Sequence, residues 1–219
     1  MRENICALIA VRKGSKRVPN KNIRPFGDSS LLEIKIKQLL RIQGIENIYV
    51  STDCPKMIEI AKSLGAKTSL RDPYYSSAEV PMNEVYEHLA HLVQSRHILF
   101  AHVTSPLISD KSLQDCSNTY ISLPDGYDSL ATVHTLHEYI WCDEGAVNYN
   151  PDHHPRSQDL PNYYALNFAV NLISKEDMIK RKNIVGKNFY PFALDEIGSI
   201  DVDTMLDFKI AEFIYNERL

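Results

Sequence analysis

The sequence predicts an α/β protein in which a mostly parallel β-sheet is flanked by helices on both faces. Three observations predict it. Short, continuously apolar runs alternate with amphipathic segments, the links between them are short, and the first apolar run opens directly into a cationic loop. A short run that is apolar throughout reads as a strand covered on both faces. A β-α-β-α order with short links lays successive strands side by side and parallel. Ligands of such sheets bind beyond the carboxyl ends of the strands, where this loop sits.

The elements follow in order. "ICALIAV" (5–11) is the first strand. "SLLEIKIKQLLRIQG" (30–44) carries Leu32, Ile36, Leu39 and Leu40 on a helical face, with Gly44 as its stop. "NIYVSTD" (47–53) is a second strand that ends in polar residues, and "PKMIEIAKSLG" (55–65) is a short helix opened by Pro and closed by Gly. A brief third strand, "AKTSL", comes next. "PMNEVYEHLAHLVQS" (81–95) sets Val85, Leu89 and Leu92 on one stripe, and "HILFAHV" (97–103) is a buried strand stopped by "TSP". Ser109 is the expected N-cap of the helix in "SDKSLQDCSNTYIS". "SLATVHTL" (129–136) is a fifth strand. The stretch from His137 to Tyr164 breaks the rhythm with Tyr, Asn, Asp, His, Pro and the lone Trp141, and a loop this long reads as an inserted functional or interaction arm. "ALNFAVNLISKEDMIKR" is a strand and then a helix. "SIDVDTMLDFKIAEFIYNER" is a strand end followed by an amphipathic helix with Met205, Phe208, Ile210, Phe213 and Ile214. No internal repeat divides the chain, and residues 1–219 are expected to form one domain.

The chain has 219 residues, 44% of them hydrophobic and 24% charged, which is ordinary for a soluble globular protein. A formal charge of −4 argues against bulk attraction to nucleic acid or to an anionic membrane. Cys6, Cys54, Cys116 and Cys142 form no C-x-x-C pair. The opening apolar run is too short for a secretory signal, and no stretch approaches the roughly 18 residues of a membrane span. The thiols are therefore expected to be reduced in a cytoplasm, most of them filling the core.

The cationic loop contains Arg12, Lys13, Lys16, Arg17 and Lys21 within "RKGSKRVPNKN". Gly14 and Ser15 allow a tight turn whose amides face an anion, with the cations supplying charge. A solvated surface loop is the alternative, and Lys13 and Lys16 fit either reading. Neither G-x-x-x-x-G-K-[ST] nor G-x-G-x-x-G is present, so a phosphate here is held mainly by side chains. "DHHP" (152–155) lacks a spaced third ligand for zinc. His88, His91 and His97 read as helix-surface or strand-start residues.

Residues 12–22 resemble the loop that follows the first strand in sugar-acid cytidylyltransferases, the family of CMP-sialic acid synthetases (acylneuraminate cytidylyltransferases). Further segments agree in order: "VSTD" (50–53), "VTSPL" (103–107) beside the family's "QPTSPL", "RSQDLPNYYALNFAV" (156–170) beside "R-x-Q-x-LP-x-x-Y-x-x-N-G-A", and "IDVDTMLDF" (200–208) beside "IDIDTxxDF". The resemblance implies a Rossmann-like fold of the nucleotide-diphospho-sugar transferase type with a dimerisation arm, here 137–164. It also implies a homodimer that transfers CMP from CTP to a 2-keto nonulosonic acid of sialic, legionaminic or pseudaminic type, assisted by Mg2+.

On this resemblance Arg12 and Lys21 stabilise the departing pyrophosphate, Ser15 and Arg17 assist, and Gly14, Asn22 and Arg71 contact the nucleotide. Asp201 and Asp203 hold the metal, and Asp203 joins Arg12 and Lys21 as a catalytic residue. At a strand end, residues i and i+2 would point to the same face, so two carboxylates could share one hard cation; an exposed strand end is the bland alternative. The acceptor, a small anionic sugar acid, is expected at His102, Gln158, Asp159, Tyr164 and Asn167, with Arg156 leading that stretch. A polar arm packed on a partner subunit would explain the same residues. Departures from the pattern are Ala10-Val11 in place of Pro-Ala, His102 in place of a Gln, and Phe168 in place of the Gly of "NGA". The last two leave open another anionic acceptor such as a phosphonate. A non-catalytic nucleotide-binding protein is the third reading.

Overall fold

The computed structural model describes residues 4–77 and 79–217. Its first strand, β1 (Ile5–Ala10), lies inside the sheet, and its alternate side chains feed two separate cores. Ile5, Ala7 and Ile9 join one apolar cluster, whereas Cys6 and Leu8 join the other. Along the chain follow the short ribbon strands β2 (Pro25–Phe26) and β3 (Ser29–Ser30), α1 (Leu31–Leu40), β4 (Ile45–Thr52), α2 (Pro55–Ser63) and β5 (Lys67–Leu70). Next come α3 (Pro73–Ser76), α4 (Met82–Leu92), β6 (His97–Ala101), α5 (Asp110–Ile121), β7 (Ser129–Leu136), and the hairpin β8 (Trp141–Cys142) and β9 (Gly145–Ala146). The remaining elements are β10 (Tyr163–Ser174), α6 (Lys175–Arg181), β11 (Phe189–Ala193) and α7 (Met205–Glu217).

The main sheet has seven strands in the order β11-β7-β10-β6-β1-β4-β5. Every pairing is parallel except those of β10, which runs antiparallel to both β6 and β7. The mostly parallel sheet flanked by helices expected from the sequence is present. Helices α1, α2, α5 and α7 bury residues such as Leu39, Met57, Leu113 and Phe208 on one face. Helices α4 and α6 bury Val85, Leu89 and Met178 on the other.

Local chemistry sets the helix starts. Ser30 and Glu33 form a reciprocal capping box at α1, with Ser30 Oγ donating to Glu33 Oε2 (2.6 Å) and Glu33 N–H donating back to Ser30 Oγ (3.4 Å). Ser109 caps α5 as its position predicted, accepting from Ser112 N–H at 3.0 Å.

Two sequence expectations change. The arm ends earlier than Tyr164, because Tyr163 and Tyr164 already pair with Leu136 and Thr135 as the first residues of β10. Before that point the arm holds the β8–β9 hairpin and a packed ring cluster of Tyr139, Tyr149 and His154. The segment at 200–203 is not a strand. Val202 N–H donates to the Thr104 carbonyl (2.7 Å), and the Val202 carbonyl accepts from Lys21 Nζ (2.7 Å), so a turn and a side chain satisfy it where a ladder would otherwise be needed.

Candidate active site

The cationic loop leaves β1 at the carboxyl edge of the sheet, and hydrogen bonds fix its course. Lys13 N–H donates to Asp53 Oδ1 (2.8 Å) just beyond β4, and Arg12 Nη1 donates to the Ser76 carbonyl (3.1 Å) at the end of α3. Gly14 has φ +86°, a left-handed conformation that a side chain would disfavour, which lets the loop turn back. Val18 is fully buried and anchors the underside, and Lys21 N–H closes onto the Val18 carbonyl. Asn22 is buried, with its amide Nδ2 donating to the Arg12 carbonyl (3.1 Å), so the two ends of the loop are joined.

The late acidic pair meets this loop from across the chain. Arg17 grips Asp203 with two hydrogen bonds of 2.9 and 3.1 Å, and Lys21 Nζ stands 3.6 Å from the same carboxylate. Burial holds the Asp201 carboxyl above the usual range; a Thr104 hydrogen bond opposes that shift and the nearby Asp203 charge adds to it. Asp207 gathers the Asp203 and Thr204 amides (3.1 and 2.7 Å), while its own N–H donates to Thr204 Oγ1 (3.2 Å). This capping box starts α7 immediately after the acidic pair and fixes where the pair ends.

Two adjoining clefts flank the loop on its sheet side. One, of about 480 Å3, is lined by Gly14, Ser15, Arg17, Lys21, Asn22 and Thr104. The other, of about 320 Å3, is lined by Arg71, Tyr75, Val80 and Tyr86. Arg12 and His102 line both and mark their border. Arg71 is buried, bonded through Nη2 to the Ser51 carbonyl (2.6 Å) and through Nε to Ser51 Oγ (3.2 Å). Burial lowers its pKa to about 10, Asp53 opposes the shift and Arg12 adds to it, so it stays cationic at neutral pH. His102 packs against Phe100 and Phe168, with ring centroids 5.1 and 6.0 Å away, and its buried Nε2 has no hydrogen-bond partner among the described residues. Burial, with Lys35 and Lys21 nearby, pushes its pKa down to about 4, so the imidazole is neutral.

The structure thus brings Arg12, Gly14, Ser15, Arg17, Lys21, Asn22, Arg71, His102, Asp201 and Asp203 to one edge of the sheet. It does not bring the acceptor stretch into these clefts. Asp159 is taken up by Arg156 (2.7 and 3.2 Å), Gln158 and Tyr164 are exposed, and Asn167 Oδ1 accepts from Ala169 N–H (3.1 Å). None of these lines either cleft. Sequence reasoning gave no role to Asp53, Ser76, Thr104 or Lys35, although Asp53 and Thr104 lie in the motif segments 50–53 and 103–107. Lys35 left a signal as a cation on the apolar stripe of α1, four residues after Leu31 and four before Leu39.

No group of three or more His, Cys, Asp or Glu side chains assembles as a metal site among the described residues. Asp201 and Asp203 offer hard oxygens faced by the countercharges of Arg17 and Lys21. That donor set fits Mg2+, which binds through one or two carboxylates and completes its shell with phosphate oxygens and water.

A family model described as cytidylyltransferase matches residues 6–166. The chain belongs to the cytidylyltransferase family. Among the relatives of this cytidylyltransferase is a pseudaminic acid cytidylyltransferase of Campylobacter jejuni, 27% identical over 97% of this chain and 96% of that one. A post-translational flagellin modification protein B of Campylobacter coli is 25% identical over 100% and 97%. An N-acylneuraminate cytidylyltransferase A of Danio rerio is 26% identical over 95% of this chain, which spans 50% of that protein. Among solved structures, a CMP:2-keto-3-deoxy-manno-octonic acid synthetase complexed with CTP shares the fold at a TM-score of 0.73. It is 13% identical, over 99% of this chain and 100% of the other. No helix among the described residues is long and apolar enough to cross a membrane.

Proposed function

We propose that this cytidylyltransferase transfers CMP from CTP to a 2-keto nonulosonic acid of the sialic, legionaminic or pseudaminic type and releases pyrophosphate. The observation that carries this reading is the Arg17–Asp203 pair, which joins the cationic loop to the late acidic couple beside one cleft. The relatives named for pseudaminic and N-acylneuraminic acids support the acceptor class.

In this reading the base lies where the two clefts adjoin at Arg12, between Arg71 on one side and Asn22 on the other, and the triphosphate follows the loop past Arg12 to Lys21. The acceptor's anomeric oxygen attacks the α-phosphorus as the bond to the β-phosphate oxygen breaks, and charge builds on the departing pyrophosphate. Arg12 and Lys21, preorganised by their own hydrogen bonds, stabilise that charge more in the transition state than in the ground state. Gly14 and Ser15 supply close backbone approach and a hydroxyl, and Arg17 is released from Asp203 to the phosphates. Asp201 and Asp203 would hold Mg2+, which when bound would supply a second countercharge to the triphosphate. His102 meets the acceptor with a neutral ring nitrogen. Gln158, Asp159, Tyr164 and Asn167 belong to the acceptor side in an assembled homodimer, with the arm at 137–162 as its contact, and the enzyme works in the cytoplasm.

A second reading keeps the CTP half and changes the acceptor to another small acid such as a phosphonate. Phe168 favours it, because a bulky ring stands beside His102 at a left-handed position (φ +56°). Pyrophosphate release from CTP with a panel of nonulosonic acids and phosphonates, with and without Mg2+, tests both. Turnover confined to nonulosonic acids and dependent on Mg2+ is expected. CTP binding with no turnover on any acceptor would overturn the catalytic reading.

A further inference from the structure

Helix α1 is a core helix, with Leu31, Leu32, Ile36 and Leu39 all at 0% exposure. Lys35 lies among them, also at 0%. Its ammonium donates to the Ser105 carbonyl (2.9 Å), and among the described residues no carboxylate forms an ion pair with it. A cation in an apolar core without a paired anion is a burden on stability, and an apolar side chain of similar volume is commonly tolerated better there.

The neighbouring contacts explain what the lysine holds. One turn further along α1, Gln38 Nε2 donates to the carbonyls of Pro106 (3.0 Å) and Ile108 (2.8 Å). A single helix face therefore supplies donors to three carbonyls of the irregular segment that follows β6. Those carbonyls point into the core, where water cannot serve them. The same segment reaches the acidic pair on its other side. The Thr104 carbonyl accepts from Val202 N–H (2.7 Å), and the Thr104 side chain hydrogen-bonds the Asp201 carboxyl.

We propose that Lys35 is a positioning residue for the acidic pair, acting from beneath the sheet edge by clamping the 104–108 turn that carries Asp201. The inference rests on the proposed role of Asp201 and Asp203. Lys35 touches neither nucleotide cleft, so its removal loosens the turn and leaves the base and the loop cations in place. Asp201 then samples positions away from Asp203, and the divalent ion is held less tightly.

The test is Lys35→Met, with Gln38→Met as a second route to the same turn and Thr104→Val as its last link. Lys35→Met is expected to fold with an unchanged or raised Tm. Its Mg2+ midpoint for pyrophosphate release should rise about 10-fold, the scale seen when a partner behind a metal ligand is removed. KM for CTP at saturating Mg2+ should stay within about twofold. Gln38→Met should shift the midpoint the same way. Thr104→Val combined with Lys35→Met should shift it less than the product of the two single effects, because both act through one contact chain. Calorimetric titration of Mn2+ into enzyme with CTP and no acceptor reads the same loss of affinity without turnover. A raised Tm with an unmoved metal midpoint in both assays overturns the inference, as does a multiplicative double variant. A fall in Tm with an unmoved midpoint marks Lys35 as structural only and also overturns it. If wild type turns over no acceptor, the function reading fails, while the Mn2+ titration still decides the role of Lys35.

Discussion

Lys21 is the side chain with the most to lose from a small change. Its ammonium donates to the Val202 carbonyl and stands near Asp203, so it is fixed from the acidic side before any ligand arrives. Lys21→Ala is expected to lower kcat about 10²–10³-fold, the scale of losing one preorganised donor, with a smaller effect on KM. Steady-state kinetics at saturating Mg2+ checks this. Lys35 makes a different prediction, about stability. Its folded-state pKa of about 7 lies below the ordinary 10.5 because burial disfavours its charge. Between those values the unfolded chain binds the proton and the native chain does not, so this residue's contribution makes stability rise with pH through that window and leaves it lowest below it. Lys35→Met removes that rise. The Tm difference between variant and wild type should be greatest near pH 7 and shrink towards about pH 10, as melts across that range would show. The cations of the loop were legible in the sequence because they fall within ten residues, and the two aspartates because their segment resembles the late acidic stretch of the family. The turn contacts of Lys35 and Gln38 were not, since they span about 70 positions that only the packed sheet edge brings into contact.

Among the elements, β10 best shows how local strain and function share a place. Its pairing with β7 breaks register between Leu166 and Asn171, and Thr132 bridges the gap by exchanging hydrogen bonds with Val170 (both 3.0 Å). Phe168 sits inside this break at φ +56°, where any side chain is strained. Phe168→Gly relieves the strain and Phe168→Ala keeps it, so the glycine variant should be about 1 kcal/mol more stable than the alanine variant in urea denaturation. The start of α7 gives a second expectation. Thr204→Ala removes the cap and should cost about 1 kcal/mol, again read by urea denaturation, while freeing the Asp207 carboxylate that fixes the Asp203 amide. Strand and helix positions in the first half of the chain were readable because apolar runs and caps agree there. The 200–203 segment was misread as a strand because its short apolar-polar alternation satisfies period two, whereas its hydrogen bonds go to Thr104 and Lys21. The stripe on α7 was legible only in part. Phe208 is buried, but Ile210 and Phe213 are exposed.

At the scale of the whole molecule, the clefts lie at the carboxyl edge of β1, β4 and β6, where the parallel strands end and their connections part. The arm is the feature that this frame leaves over. Trp141 is 59% exposed and Val147 43% exposed on it, a pair that fits the proposed homodimer contact. Trp141→Glu should convert a dimer to a monomer in sedimentation velocity, with the fold intact by circular dichroism. The Arg17–Asp203 contact joins positions 186 apart. During synthesis, β1, β4 and β6 leave the ribosome early, but Arg17 and Lys21 beside them have no Asp203 to meet until residues past 200 emerge. A nascent chain halted before that point would leave Arg17 and Lys21 without that carboxylate, so the proposed phosphate cradle is completed only when the segment leading into α7 has emerged.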